Sequence, residues 1–169
     1  MIKTLIIAEA GVNHNGKFLI AKKLIKEAKD IGADVIKFQY FKAEKIATKS
    51  LNFAPYQKNN TKFKNQFAML KNLELTDSEF ILLYKYSKKI GIKFCLSFFD
   101  HTDFELLKKL RVDFIKVPSG EINNLLLLIN AASLKKKIIF STGMSNYKEI
   151  NFALRILKKK LIEKNITIL

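Results

Sequence analysis

The sequence predicts an α/β fold on a parallel sheet: about five βα units and a sixth strand of a TIM-type (β/α)8 barrel, incomplete within 169 residues. Three observations carry this. Short apolar runs alternate with longer segments whose apolar residues recur at helical spacing, the pattern of a parallel sheet with helices outside it. One face of each strand-like run turns polar only near its carboxyl end. The turn after the first strand, G-V-N-H-N-G at residues 11–16, lacks the spacing of a dinucleotide loop, and no Walker pattern occurs. That weighs against a doubly wound nucleotide-binding sheet. A complete barrel takes roughly 250 residues and eight units, more than this chain holds.

Residues 4–9 form the first strand, a short buried run of Leu, Ile and Ala ending on Glu9, and residues 11–16 turn. Phe18, Ala21, Leu24, Ile25, Ala28 and Ile31 then recur at helical spacing, with Gly32 as the stop. The second strand is 34–39, D-V-I-K-F-Q. Residues 40–75 make a long connection with Pro55, a polar stretch at 57–61 and a short closing helix near 65–71. Connections of that length are usually functional or disordered. Thr76 and Glu79 have the spacing of a capping box, which satisfies free backbone N–H groups reciprocally, and they open a helix that Gly91 ends. Residues 93–99 are the third strand and 103–110 a brief helix. The fourth strand begins at Phe114, and Pro118 and Gly120 stop it. A helix over 123–134 and a fifth strand over 137–142 follow. Asn146 with Glu149 caps one more helix, running through Leu157 to about residue 163, and 166–169 reads as a sixth strand.

The chain reads as one domain, long enough for a sizeable core at 49% hydrophobic content. No run is long or pure enough to span a membrane, and Glu9 interrupts the apolar start too early for a secretory signal. A single cysteine, Cys95, excludes an internal disulfide and a zinc cluster. A cytoplasmic location is expected. The net charge of +16 raises nucleic-acid binding as an option, but the charge is almost all lysine, scattered over every helix, with only Arg111 and Arg155 as arginines. Bidentate base readout favours arginine and no nucleic-acid motif is present, so no nucleic-acid partner is expected.

Alternate strand residues face the same way. The set assigned to the inner face is Leu5, Ile7, Glu9; Val35, Lys37, Gln39; Cys95, Ser97; Phe114, Lys116; and Ile139, Ser141. Each strand starts apolar and turns polar or charged towards its carboxyl end, where barrel enzymes keep their active sites. Lys116 lies among Phe114, Ile115 and Val117, and a lysine there is costly to bury unless it meets an anion. Lys37 and Lys116, with the hydroxyls of Ser97, Ser119 and Ser141, make a cationic, donor-rich pocket suited to phosphate or carboxylate. Glu9 and Glu121 either position a sugar hydroxyl or move a proton, or serve structurally, Glu9 in a salt bridge that holds Lys37 or Lys116 and Glu121 in a Lys–Glu pair at the strand end. His14 reads as a loop hydrogen-bonder and Asp100 as a cap. Tyr56 and Gln57, on the long connection, are either lid residues contacting substrate or ordinary loop groups.

Four stretches, I-I-A-E-A-G-V-N-H-N-G, G-A-D-V-I-K-F-Q, K-V-P-S-G-E-I-N-N and F-S-T-G-M, together resemble the N-acetylneuraminate (sialic acid) synthase family, which includes legionaminate and pseudaminate synthases. The resemblance runs through essentially the whole chain in order. It implies a barrel enzyme that condenses phosphoenolpyruvate with an N-acetylated hexosamine such as N-acetylmannosamine, giving a nine-carbon 2-keto acid and phosphate. Lys37, Lys116, Ser119, Ser97 and Ser141 match positions that hold phosphoenolpyruvate, Glu9 and Glu121 match carboxylates at the reacting end, and Gln39 lines the same pocket. It also implies a divalent metal, Mn2+ or Mg2+, acting as Lewis acid on the sugar aldehyde.

The sequence departs from that pattern in two places. Leu96-Ser97-Phe98-Phe99 stands where the family has S-T-P-F, keeping a hydroxyl and losing a proline. The family's two histidine metal ligands and its small antifreeze-like domain lie beyond the matched part, and His14 and His101 occupy neither ligand position. Residues 1–169 therefore read as the N-terminal portion of a synthase barrel domain without a complete metal site, expected to be inactive alone and open to completion by a C-terminal half or by a homo-oligomer. Two alternatives stand beside this: a Schiff-base aldolase using Lys116, and an inactive anion-binding remnant or interaction module.

Overall fold

Two faces of one sheet, each with its own apolar set, organise the molecule. The structure, a computed structural model, describes residues 4–50 and 63–169. Strands β1 (Ile7–Gly11), β2 (Val35–Tyr40), β3 (Lys93–Phe98), β4 (Phe114–Val117), β5 (Lys137–Phe140) and β6 (Ile166–Ile168) lie in sequence order, and every neighbouring pair is parallel. Helices α1 (Phe18–Asp30), α2 (Ala43–Ile46), α3 (Gln66–Leu73), α4 (Asp77–Ile90), α5 (Phe104–Lys109), α6 (Leu125–Ser133) and α7 (Tyr147–Lys158) fill the connections. Among the described residues no helix is long and apolar enough to cross a membrane.

Sequential strand order separates a barrel from a doubly wound sheet. Parallel crossovers share one hand, so strands added always in the same direction leave their helices on one side. The packing has that form. Ile36, Phe38, Phe94, Leu96, Ile115, Val117, Ile138 and Phe140 join residues of α1, α4, α5, α6 and α7 in one large buried cluster. On the other face Val35, Cys95, Phe114 and Ile139, with Ile7 against them, form a small cluster of strand residues alone. These five belong to the inner set expected from alternation. The fold is the singly wound arrangement of a TIM-type barrel, carried through five βα units and a sixth strand.

Local signals account for most boundaries. Thr76 and Glu79 form the expected capping box: Thr76 Oγ1 accepts from the Glu79 amide at 3.2 Å and Glu79 Oε2 accepts from the Thr76 amide at 2.7 Å. Gly91, at φ +74°, ends α4. Asn146 and Glu149 repeat the box at α7. Gly16, at φ +69°, is required by contact: a Cβ there would lie 2.0 Å from the Asn72 carbonyl oxygen, so the first βα turn rests directly on α3.

Several boundaries differ from the sequence reading. β1 runs Ile7–Gly11 rather than 4–9: ahead of it the Ile6 amide donates to the Asp34 side chain at 3.0 Å, and Leu5 and Ile6 stay 44% and 56% exposed. β5 ends at Phe140, before Thr142. α6 starts at Leu125, with Asn124 as its cap. α7 stops at Lys158 instead of running to 163, because Leu161 folds back into the core and a 3₁₀ turn, Glu163–Asn165, leads into β6. The long connection contains α2, which no sequence signal predicts, and α3, whose N-cap is Asn65.

Candidate active site

Register brings the polar strand ends together. Glu9 lies beside Lys37 across β1 and β2, Gln39 beside Ser97 across β2 and β3, and Ser97 beside Lys116 across β3 and β4. Partners at one register position on parallel strands share a face, so both lysines rise from the floor made by Val35, Cys95, Phe114 and Ile139. Lys37 Nζ is ion-paired with Glu9 Oε2 and donates to Ser97 Oγ at 3.2 Å. Lys116 Nζ donates to Ser141 Oγ at 2.7 Å and to the Val117 carbonyl oxygen at 2.8 Å. Ser97 and Lys116 are register partners on β3 and β4, so the Lys37–Ser97 hydrogen bond brings the first ammonium to the strand next to the one that carries the second.

The two amines are not equivalent. Both are buried, at 9% and 7% exposure, but Lys37 has a carboxylate partner, whereas Lys116 has no ion pair with a carboxylate among the described residues. Burial and then the neighbouring Lys37 ammonium push the Lys116 amine down to about 8. Beneath them burial pushes the Cys95 thiol up to about 12, which keeps it a protonated wall group.

Beyond β4, Pro118 leads into a 3₁₀ turn, Ser119–Glu121, which places Ser119 and Glu121 at the carboxyl end of the strand. The Ser119 hydroxyl lies 3.3 Å from where a Cβ on Gly143 would sit, so the glycine after β5 lets that loop approach it. Glu121 Oε2 accepts from Asn124 Nδ2 at 2.8 Å, and burial raises its carboxyl above the ordinary range, with Asp100 adding repulsion. Gln39 is half-buried at the end of β2. Tyr56 and Gln57 lie outside the described residues. Can this arrangement serve a reaction? It gathers two ammonium groups, two hydroxyls donating or accepting beside them, and a carboxylate on one sheet face, with a second carboxyl at the strand end.

The sequence pattern of the NeuB family matches residues 24–169. The chain belongs to the NeuB family. It is 47% identical over 171 residues to the N,N'-diacetyllegionaminic acid synthase of Campylobacter jejuni, an alignment that covers 100% of this chain and 51% of that relative. It is 34% identical to human N-acetylneuraminate-9-phosphate synthase over 90% of this chain and 43% of the human protein. The crystal structure of N-acetylneuraminic acid (sialic acid) synthetase from Leptospira borgpetersenii, in complex with citrate, superposes with a TM-score of 0.82 at 32% identity, over 99% of this chain and 53% of that one. The NeuB chain described here thus spans about half the length of the curated relatives it matches.

Other candidates in this NeuB chain fall away from the lysine pair. His14 is 1% exposed, its Nδ1 accepts from the Gly16 amide at 3.1 Å, and its ring lies 6.0 Å from Phe38 on the helix-facing side. It is a buried turn residue, held below the usual imidazole range by burial. Asp100 accepts from the Thr102 amide at 2.8 Å in a turn, and Asp103, not Asp100, stands at the N-cap of α5. Among the described residues no three His, Cys, Asp or Glu side chains are grouped so as to hold a metal ion. Glu9 is paired with Lys37, so the residues present do not fit the divalent metal that the resemblance implies. The sequence reading overlooked Asn124 and the Lys45–Asp103 ion pair that ties α2 to the turn after β3. The signal for Asn124 was an Asn directly before the apolar run L-L-L-L, three residues after Glu121. Nothing local announced Lys45–Asp103.

Proposed function

We propose that this chain is the N-terminal, phosphoenolpyruvate-binding part of a sialic-acid-type synthase barrel, acting with strands supplied by a further segment or a second copy. The reaction joins C3 of phosphoenolpyruvate to the aldehyde carbon of an N-acetylated hexosamine. Water adds at C2, the C2–O bond to phosphorus breaks, and phosphate leaves with a nine-carbon 2-keto acid as the other product. The observation that carries the reading is the pair of buried lysines on one sheet face with only one matched by a carboxylate. Phosphoenolpyruvate has a carboxylate and a phosphate, and charge-assisted hydrogen bonds from ammonium and hydroxyl groups suit both. Lys37, Gln39, Ser97, Lys116, Ser119 and Ser141 would hold it.

Glu9, paired with Lys37 and with half its side chain open to solvent, is placed to take the proton from the water that adds at C2. Glu121, whose burial favours the protonated form, would give a proton to the sugar oxygen as the aldehyde becomes an alcohol. The resemblance, and the relatives named as legionaminic acid and N-acetylneuraminate-9-phosphate synthases, support the amino-sugar class.

Because the chain spans about half the length of those relatives, binding rather than turnover tests the reading. Phosphoenolpyruvate is titrated into the purified chain by calorimetry. Wild-type chain binds, and Lys37→Ala or Lys116→Ala each weakens binding by about 10–100-fold, the worth of one charged hydrogen bond. Unchanged affinity in both folded variants overturns it. A second reading, an imine-forming aldolase, is favoured by the lowered Lys116 amine, since only the neutral amine attacks a carbonyl. Borohydride trapping of pyruvate on Lys116 would select that reading, and no trapped adduct would remove it.

A further inference from the structure

The carboxyl end of β4 carries a joint between Glu121 and the following helix. Asn124 lies three residues on, at the N-cap of α6, and its side chain is used at both ends. Oδ1 accepts from the Leu127 amide at 3.1 Å, and Nδ2 donates to Glu121 Oε2 at 2.8 Å. The orientation follows from chemistry. A backbone N–H only donates, so the Leu127 amide fixes Oδ1 towards it and leaves Nδ2 to donate to the Glu121 carboxyl; turning the amide over would set donor against donor at Leu127. The charged group facing Glu121 from elsewhere is Asp100, in the turn after β3. Asp100 is itself held by Thr102 and lies 3.7 Å from Lys45 Nζ. Burial and Asp100 both work against an ionised Glu121, and the Asn124 amide is the contact that opposes them.

We propose that Asn124 is a positioning residue: a single amide caps α6 and clamps the Glu121 carboxyl, so that helix terminus and carboxyl are held as one piece at the end of β4. Its relevance to catalysis rests on the reading of Glu121 as a proton donor; the clamp itself does not. A helix capped by Ser or Asp is served as well as one capped by Asn, which allows the two jobs to be separated. Asn124→Asp keeps the cap and exchanges the donor for a like charge. Asn124→Ser keeps the cap and removes the donor without adding charge.

The test is a carbon-detected NMR titration of the Glu121 side-chain carboxyl in the full 169-residue chain, alongside thermal unfolding. Both variants should unfold close to the parent temperature. The Glu121 midpoint should rise by about one pH unit, tenfold in proton affinity, in Asn124→Ser and by more in Asn124→Asp. An unmoved midpoint in both folded variants overturns the clamp. So does an equal shift in Thr76→Ala, which removes the distant cap of α4 and should leave Glu121 untouched. Phosphoenolpyruvate added to the same samples separates the two layers. No binding by the parent chain overturns the synthase reading and leaves the titration result to decide the clamp.

Discussion

Anion binding at the lysine pair should draw a proton from solution above neutral pH. In the free chain the Lys116 amine sits at about 8, pushed down by burial and by Lys37. A bound carboxylate or phosphate at contact distance contributes about 4 kcal/mol at an effective dielectric of 20, roughly three pH units, enough to restore the ordinary lysine range. The amine's affinity for protons is therefore higher in the complex, so binding takes protons up and affinity falls as pH rises through about 8. From that midpoint the uptake is about 0.1 proton at pH 7, about 0.5 at pH 8 and about 0.9 at pH 9. The phosphate of the ligand, with a second ionisation near pH 6, is about fully ionised over the upper part of this window. Calorimetric titration of phosphoenolpyruvate in buffers of different ionisation heat measures the uptake directly. Lys37→Ala removes one cause of the depression and should lower the uptake at pH 8 in whatever binding remains. Uptake below about 0.1 proton at both pH 8 and pH 9, with binding intact, would refute the lowering of the Lys116 amine.

Two stability predictions follow from the same geometry. Lys116→Met should stabilise the chain while weakening phosphoenolpyruvate binding by about 10–100-fold, because it replaces a buried ammonium by an apolar side chain of similar length. Depression from 10.5 to about 8 corresponds to on the order of 3 kcal/mol, of which a gain of about 1–3 kcal/mol should appear below pH 8. The gain should shrink between pH 8 and 10.5, where the unfolded chain holds the proton that the folded chain has lost and wild-type stability rises with pH; thermal melts across that range check it. Gly16→Ala and Gly32→Ala both force a left-handed backbone onto alanine, at about 1 kcal/mol each. Only Gly16 also meets a backbone oxygen at 2.0 Å, so urea unfolding should show a loss of about 2–4 kcal/mol there against about 1 kcal/mol at Gly32.

The inner face of the sheet was legible because strand alternation is a hard geometric rule. Once the runs around Lys37, Ser97 and Lys116 were read as strands, period two placed those residues with Val35, Cys95, Phe114 and Ile139, and all seven share that face. The capping boxes at Thr76 and Asn146 were legible for a similar reason, since each is closed within four residues. α2 was not. It is four residues long and is fixed from outside its own sequence: Glu74 Oε1 accepts from the Ala43 amide at 2.5 Å, and Lys71 pairs with Glu44 at 2.7 Å. The burial of His14 depends likewise on Phe38 reaching it from the next strand. Interactions that cross the chain leave no period to read.

Could the lysines be structural? An ion pair explains one of them. Lys37 meets Glu9 and its buried charge is matched. The same account fails for Lys116, whose hydrogen-bond partners are a hydroxyl and a carbonyl and on which the repulsion of the Lys37 ammonium outweighs the attraction of Glu9. Glu121, one turn beyond, is clamped by Asn124 and not by Lys116. Packing alone would favour an apolar residue on a floor of Val35, Cys95, Phe114 and Ile139, since this buried cation costs on the order of 3 kcal/mol, a large share of a small domain's stability. A bound ligand carrying a carboxylate and a phosphate, as the proposed function has it, would supply the balancing charge at the place where the protein's own carboxylates do not, and that makes Lys116 the residue on which the functional reading turns.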